Sequence, residues 1–224
     1  VDQGAGNRFV AVQAEVADAA RAAGRSPADI TTIVVTKFHP ADLVRELYAA
    51  GVRHVGENRH QEAQAKQEEL SDLDLTWHFV GQLQSNKAKA VAAYCSVIHS
   101  VDRASVVDSL SRAEQALDVF LEVNLTDTPG RGGVEPLNLL ELAEQVLATD
   151  NLNLRGLMAV APLDEPAERA FARVVDYAER LRGIAPHATD LSIGMSGDFR
   201  EAIAAGATHL RIGTAITGKR PSAT

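Results

Sequence analysis

Along this chain, short runs dense in β-branched residues alternate with longer segments in which Leu, Val and Ala recur every three or four positions. The runs are TTIVVT (31–36), RHVGEN (53–58), LTWHFVG (75–81), SVIHSV (96–101), VFLEVNL (119–125), LRGLMAV (154–160), DLSIG (190–194) and THLRIG (208–213). Apolar runs of this length, bounded by turn residues, read as buried strands. Between them, segments such as ADLVRELYAAG and EPLNLLELAEQVLATD carry apolar residues at helical spacing. Gly51 and Gly206 stand where helix C-termini are expected. A further helix, over residues 8–23, precedes the first strand.

Strands and helices in this alternation predict a parallel sheet covered by helices. Eight repeats predict closure into a (β/α)₈ TIM barrel with an additional N-terminal helix, although the chain's 224 residues fall short of the about 250 usual for that fold. An open doubly wound sheet is the alternative. No Pro- or Ser-rich linker interrupts the pattern, so residues 1–224 are expected to form one domain.

Charge and cysteine content narrow the function. Lys and Arg number 22 against 30 Asp and Glu, a formal charge of −8. So acidic a chain is expected to be soluble and is poorly suited to nucleic acid. No run approaches the roughly 18 apolar residues of a membrane span. The start, VDQGAGNRF, has neither the basic beginning nor the apolar stretch of a signal peptide, and its lack of Met suggests a processed or trimmed start. Cys95 is the single cysteine, which excludes an internal disulfide and fits a reducing compartment. It is read as a small buried hydrophobe. A cytoplasmic location is expected.

The chemically distinctive residues fall just after strands, the end of a barrel where active sites are built. Lys37, Asn58, Gln84-Ser85-Asn86, Ser100, Asp102, Asn124, Met158, Met195-Ser196-Gly197, Arg211, Gly213 and Thr214 all occupy such positions. Lys37, in VVTKFHP, is expected to point into the barrel mouth, where desolvation would favour the neutral amine that condenses with an aldehyde. A solvated strand-end lysine is the plain alternative. In LSIGMSGDFREAIAAGATHLRIGTAI (191–216), small glycines, backbone N–H groups and two hydroxyls could together cradle a phosphate. Two ordinary turns, with Asp198 as a helix N-cap, are the alternative. TPGRGGV (128–134) lacks the Gly-Lys-Ser/Thr of a P-loop and reads as a mobile turn. The seven histidines show no close ligand spacing, so no metal site is expected, and His78 reads as a hydrogen-bonded core residue. Lys87 and Lys89 are read as a solvated helix face or an anion-facing rim.

The blocks VVTKFHP, VGENRHQEAQAK, WHFVGQLQSNKAK, HSVDR, LEVNL, RGLMAVAP and LSIGMSGDFREAIAAGATHLRIGTAITGKR closely resemble the pyridoxal phosphate homeostasis proteins, relatives of the N-terminal barrel of bacterial alanine racemase. That resemblance spans essentially the whole chain. It implies pyridoxal 5′-phosphate (PLP) held as a Schiff base on Lys37, with Asn58 close to the cofactor. Ser196 and Gly197 match the phosphate-holding positions, Gly213 and Thr214 the final Gly-Thr, and Arg211 the arginine facing the pyridine nitrogen. It further implies a role in vitamin B6 homeostasis, in which the protein binds the cofactor and hands it to apo-enzymes, as a monomer or weak dimer. Two loops depart from the family pattern: GQLQ (81–84), where a Pro or His often follows the Gly, and GRGGV (130–134), where a Lys is common.

A PLP-dependent amino-acid racemase is the alternative function. Such an enzyme needs an acid/base group on each face of its substrate. In the racemases this resemblance brings in, the second base is a Tyr from a separate domain. Tyr48, Tyr94 and Tyr177 all lie away from strand ends, and an arginine at the ring nitrogen would weaken the cofactor as an electron sink. The sequence therefore favours a non-catalytic cofactor carrier.

Overall fold

The computed structural model describes residues 4–126 and 130–219. Eight parallel strands close on themselves in sequence order: β1 (Thr31–Val35), β2 (His54–Glu57), β3 (Thr76–Phe79), β4 (Val97–Val101), β5 (Leu117–Glu122), β6 (Leu152–Met158), β7 (Asp190–Ser192) and β8 (His209–Ile212). The last strand returns to the first, with Thr31 opposite His209 and Val34 opposite Ile212. The expected barrel is therefore present, and the open sheet is not.

Helices α2 (Ala41–Ala49), α3 (His60–Glu69), α4 (Ser85–Ala92), α5 (Ala104–Leu110), α6 (Leu139–Leu147), α7 (Ala167–Arg182) and α8 (Phe199–Ala204) follow the first seven strands. A single turn, α9 (Thr214–Thr217), follows β8, and the additional helix α1 (Ala5–Ala22) precedes β1. It packs against α2, α8 and α9, and Arg8 Nε donates to the Ile216 carbonyl at 2.7 Å. Gly51 and Gly206 do close α2 and α8. Both take positive φ, and the residues after them, Val52 and Ala207, bond back to Leu47 and Ala202.

Successive strand residues face opposite sides of the sheet, and the two sides differ in chemistry. Val34, Val55, Trp77, Ile98, Val119, Leu157, Leu210 and Ile212 belong to one large cluster with helix residues such as Val44, Leu47, Val91, Leu110, Leu142 and Phe171. Each large side chain fully buried there contributes roughly 1.5–3 kcal/mol, so this shell holds the fold together. A separate, much smaller apolar cluster joins Val97, Phe120 and Met158. Around it stand His54, His78, His99, His209, Ser192 and Arg211, linked by hydrogen bonds and ring contacts. Barrels usually fill their interior with layers of branched aliphatic residues; this one fills much of it with polar rings.

Most strands end one to three residues before the apolar runs do. Thr36, Asn58, Val80-Gly81 and Gly213 leave the ladder, because the backbone there turns to build the rim of a cavity.

Candidate functional site

After β1 the chain makes a tight turn through Thr36, Lys37 and Phe38, with His39 N bonding back to Thr36 O at 3.1 Å. Phe38 has φ 69°, a left-handed conformation that costs a non-glycine residue about 1–2 kcal/mol. Its N–H donates to Glu62 Oε1. Lys66, from the next turn of α3, spends all three ammonium hydrogens on this region: Glu62 Oε1 at 2.9 Å, Glu57 Oε1 at 2.7 Å and the Thr36 carbonyl at 2.8 Å. Thr36 Oγ1 also donates to Glu57 Oε1, at 2.7 Å. Burial pushes the Glu57 carboxyl above its ordinary range, while Lys66 and Thr36 pull it back. The residues on either side of Lys37 are thus clamped while Lys37 itself projects from the turn. Lys37 is exposed, contrary to the expected desolvation, because it stands at the rim rather than within the barrel.

Asn58 follows β2. Its Oδ1 is buried and has no hydrogen-bond partner among the described residues. The turn after β3 crosses it so closely that a Cβ on Gly81 would fall 2.5 Å from the Asn58 Cβ and 2.6 Å from its carbonyl oxygen; only glycine fits.

After β7, Asp198 Oδ1 accepts from Met195 N at 2.6 Å and makes no side-chain bond into α8. Asp198 therefore closes the Met195–Asp198 turn, and its side chain does not make the helix cap that the alternative reading gave it. The turn presents Ser196, whose Oγ lies 3.5 Å from Thr214 Oγ1 and accepts from Ala215 N at 3.3 Å. A Cβ on Gly197 would meet nothing within 4 Å.

Arg211 is 4% exposed. Its Nη1 donates to Ser192 Oγ at 2.7 Å and to the Ser192 carbonyl, and its Nη2 to the Ala159 carbonyl at 3.0 Å. Burial lowers its pKa to about 10, against the opposing pull of Glu122 and Asp198; at neutral pH it remains a cation.

One cavity of about 570 Å³ gathers Lys37, Asn58, Ser196, Gly197, Arg211, Gly213 and Thr214 along its wall. Val35, Phe38, His39, Val80, Gly81, Val160, Met195, Thr217 and Gly218 complete it. His39 is the residue the sequence reading missed. It is buried, with its pKa lowered by burial and by Lys66 against the pull of Glu62, and only its place beside Lys37 could have drawn notice.

Other strand-end residues lie elsewhere. Asp102 pairs with Arg103 at 2.5 Å, Ser100 Oγ is buried without a partner among the described residues, and Asn124 accepts from Thr126 N. Met158 packs inside the barrel. Gln84 and Lys87 line a neighbouring hollow with Arg59, sharing Asn58 with the first cavity. Of TPGRGGV, residues 128 and 129 lie outside the described residues. Its last two residues are bonded to neighbouring strand ends, with Val134 N donating to Glu122 O at 2.7 Å and Gly133 N to Asp102 Oδ2 at 3.4 Å. Cys95 is fully buried, as expected.

The family model described as "Alanine racemase, N-terminal domain" matches residues 10–221. The pyridoxal phosphate homeostasis protein of Pseudomonas aeruginosa is 45% identical over 216 residues, covering 93% of each chain. That of Escherichia coli is 38% identical over 219 residues, covering 93% of this chain and 94% of its own. Among solved structures, PipY of Synechococcus elongatus without PLP superposes with a TM-score of 0.86 at 39% identity, covering 96% of this chain and all of PipY. The PLP-bound form gives 0.80 at 40% identity, covering 91% of this chain and all of PipY. Alanine racemase of Corynebacterium glutamicum shares the fold at 14% identity, with a TM-score of 0.68 over 95% of this chain and 61% of its own. The family match over residues 10–221 and the 45% identity to the Pseudomonas aeruginosa protein over nearly the whole chain place this chain in the alanine racemase N-terminal domain family, with the pyridoxal phosphate homeostasis proteins.

Proposed function

We propose that this protein binds pyridoxal 5′-phosphate covalently through Lys37 and serves intracellular vitamin B6 homeostasis, holding the cofactor and releasing it to apo-enzymes. The observation that carries this reading is the convergence of an amine, a hydroxyl pair and a buried arginine on one cavity. PipY, at 40% identity, has been solved with PLP bound.

The residues fit the cofactor. Asn58 offers a side-chain amide with an unused oxygen, and the space beside Gly197 is open. Ser196 and Thr214 would hold the phosphate through their hydroxyls. When bound, the cofactor supplies an aldehyde and an electron-withdrawing ring. Lys37 would hold it through its amine, which can condense with that aldehyde with loss of water. Arg211 spends three of its five N–H donors on Ser192 and Ala159, which leaves Nε–H and one Nη2–H, and one of these would donate to the ring nitrogen. A permanent donor there keeps the ring nitrogen unprotonated and weakens the electron sink, which favours storage over turnover. The barrel supplies the whole set from one domain, and it acts in the cytoplasm as a monomer or weak dimer.

None of Tyr48, Tyr94 and Tyr177 lines the cavity; Tyr94 instead stacks on His60. The racemase reading thus lacks its tyrosine base.

The test is one spectrum and one digest. Protein mixed with PLP should gain visible absorbance, and borohydride should fix one cofactor on the peptide containing Lys37. Lys37→Ala should abolish both. The same reducible adduct persisting in Lys37→Ala would sink the assignment.

A further inference from the structure

Five polar side chains cross the barrel in a single hydrogen-bonded file. His54 Nδ1 lies 3.0 Å from His78 Nε2, His78 Nδ1 lies 2.9 Å from His99 Nε2, and His99 Nδ1 lies 2.8 Å from Ser192 Oγ. Ser192 Oγ in turn lies 2.7 Å from Arg211 Nη1. The file starts at half-buried His54, at the N-terminal end of β2, and ends at the arginine on the cavity wall.

Elementary donor and acceptor counting gives this file one direction. A guanidinium only donates, so the Ser192 oxygen accepts from Arg211. The Ser192 proton then has one acceptor in reach among the described residues, His99 Nδ1. His99 Nδ1 is therefore bare and its Nε2 carries the hydrogen, which goes to His78 Nδ1. The same step repeats at His78, whose Nε2–H goes to His54 Nδ1. Among arrangements of three neutral rings, the all-Nε2–H form is the one in which every contact is a hydrogen bond and the buried Ser192 proton also has an acceptor; the reverse, all Nδ1–H, leaves that proton without one.

We propose that this file is a directional positioning device for Arg211, with Ser192 and His99 as positioning residues. They fix where its guanidinium sits and keep a second positive charge away from it. A proton added to His99 Nδ1 would leave the Ser192 hydroxyl without an acceptor and set a cation beside a buried arginine. Burial agrees with that, holding His78 and His99 well below the ordinary histidine range and lowering His54 as well. Ring stacking secures the turning point of the file: His99 lies parallel to Phe120 at 4.5 Å between centroids. The geometry of the file is independent of any ligand, while its consequence for a cofactor rests on the PLP reading above.

Nitrogen-15 NMR of histidine-labelled protein without cofactor reads the file directly. His54, His78 and His99 should each show a bare Nδ1 and a protonated Nε2, with His78 and His99 silent between about pH 5 and 8. A protonated Nδ1 on His78 or His99 overturns the proposal. Ser192→Ala, a small change, should leave the fold intact but free His99 to exchange tautomers and move the Arg211 side-chain resonances. PLP retention should fall about tenfold in the same variant, the size of one hydrogen bond to a charged group. His99→Asn, whose amide oxygen still accepts from Ser192, should retain more cofactor than His99→Phe. Unchanged Arg211 resonances and unchanged retention in Ser192→Ala would refute positioning. Wild-type protein with the stated tautomers but no affinity for PLP would refute the cofactor reading and leave the file standing.

Discussion

Lys66 Nζ lies 2.7 Å from Glu57 Oε1, and both side chains are almost fully buried, at 7% and 0% exposure. Each would be costly alone in that setting; together they fasten the turn that carries Lys37. Lys66→Met should destabilise the protein by about 3–5 kcal/mol, because it strands the Glu57 carboxylate. Adding Glu57→Gln should recover part of that loss, since the remaining amide is uncharged. Urea unfolding of the two variants checks both statements. A loss under about 1 kcal/mol, the size of an exposed pair, would show that the clamp is not coupled to stability.

The proposed phosphate contacts of Ser196 and Thr214 predict a ligand-selective effect. Ser196→Ala and Thr214→Ala should each weaken PLP binding by roughly 1.5–3 kcal/mol, the range for a hydrogen bond to a charged group. Pyridoxal without its phosphate should bind weakly to the wild type and respond little to either change. Titration of both ligands against the three proteins decides it. Equal sensitivity of the two ligands would place the phosphate elsewhere.

Strand order and the cavity rim were legible because they rest on local signals. Apolar runs at regular intervals, Gly51 and Gly206 after helices, and polar residues just past each run are all visible in one pass along the sequence. The clamp was not legible: Lys66 and Glu62 sit in a helix so polar that they read as a solvated face, and nothing local shows that Lys66 turns back toward Thr36. The histidine file was hidden for a related reason. His54, His78 and His99 lie at least 21 positions apart in sequence, and only barrel closure brings them together, with Ser192 93 positions beyond His99. An Asp before a helix ordinarily caps it, which is why a cap stood as the alternative reading of Asp198, whereas here its carboxylate turns back to Met195 N.

Glu122, at the end of β5, predicts a pH effect on stability. Burial and the neighbouring Asp102 raise its pKa to about 7, with Arg211 opposing. A carboxyl raised in the folded state favours the protonated form. Its contribution is therefore fully present below its unfolded value of about 4.3 and is lost as pH rises through 7. Glu122→Gln should unfold at the same temperature as wild type near pH 4 and at a higher one above pH 7. Thermal melts across that range would show it. A gap that is largest at acid pH would reverse the sign and reject the assignment.

The last prediction separates carrier from enzyme. Apart from Lys37 and Arg211, the one titratable side chain on the cavity wall among the described residues is His39, and its pKa is lowered, chiefly by burial, so at neutral pH it is an unprotonated base. That makes His39, and none of the tyrosines, the group that would have to serve as a second base. Against this, an arginine at the ring nitrogen works against stabilising a carbanion. PLP alone exchanges protons slowly at an amino acid's Cα, so the rate must be compared with free cofactor. Loaded protein incubated with D- or L-alanine in heavy water should deuterate and racemise the amino acid no faster than that control. The same loaded protein should restore activity to an apo-enzyme that depends on PLP. Racemisation a thousand times or more above the control (about 4 kcal/mol of barrier), lost in both Lys37→Ala and His39→Phe, would make the protein an enzyme and His39 its second base.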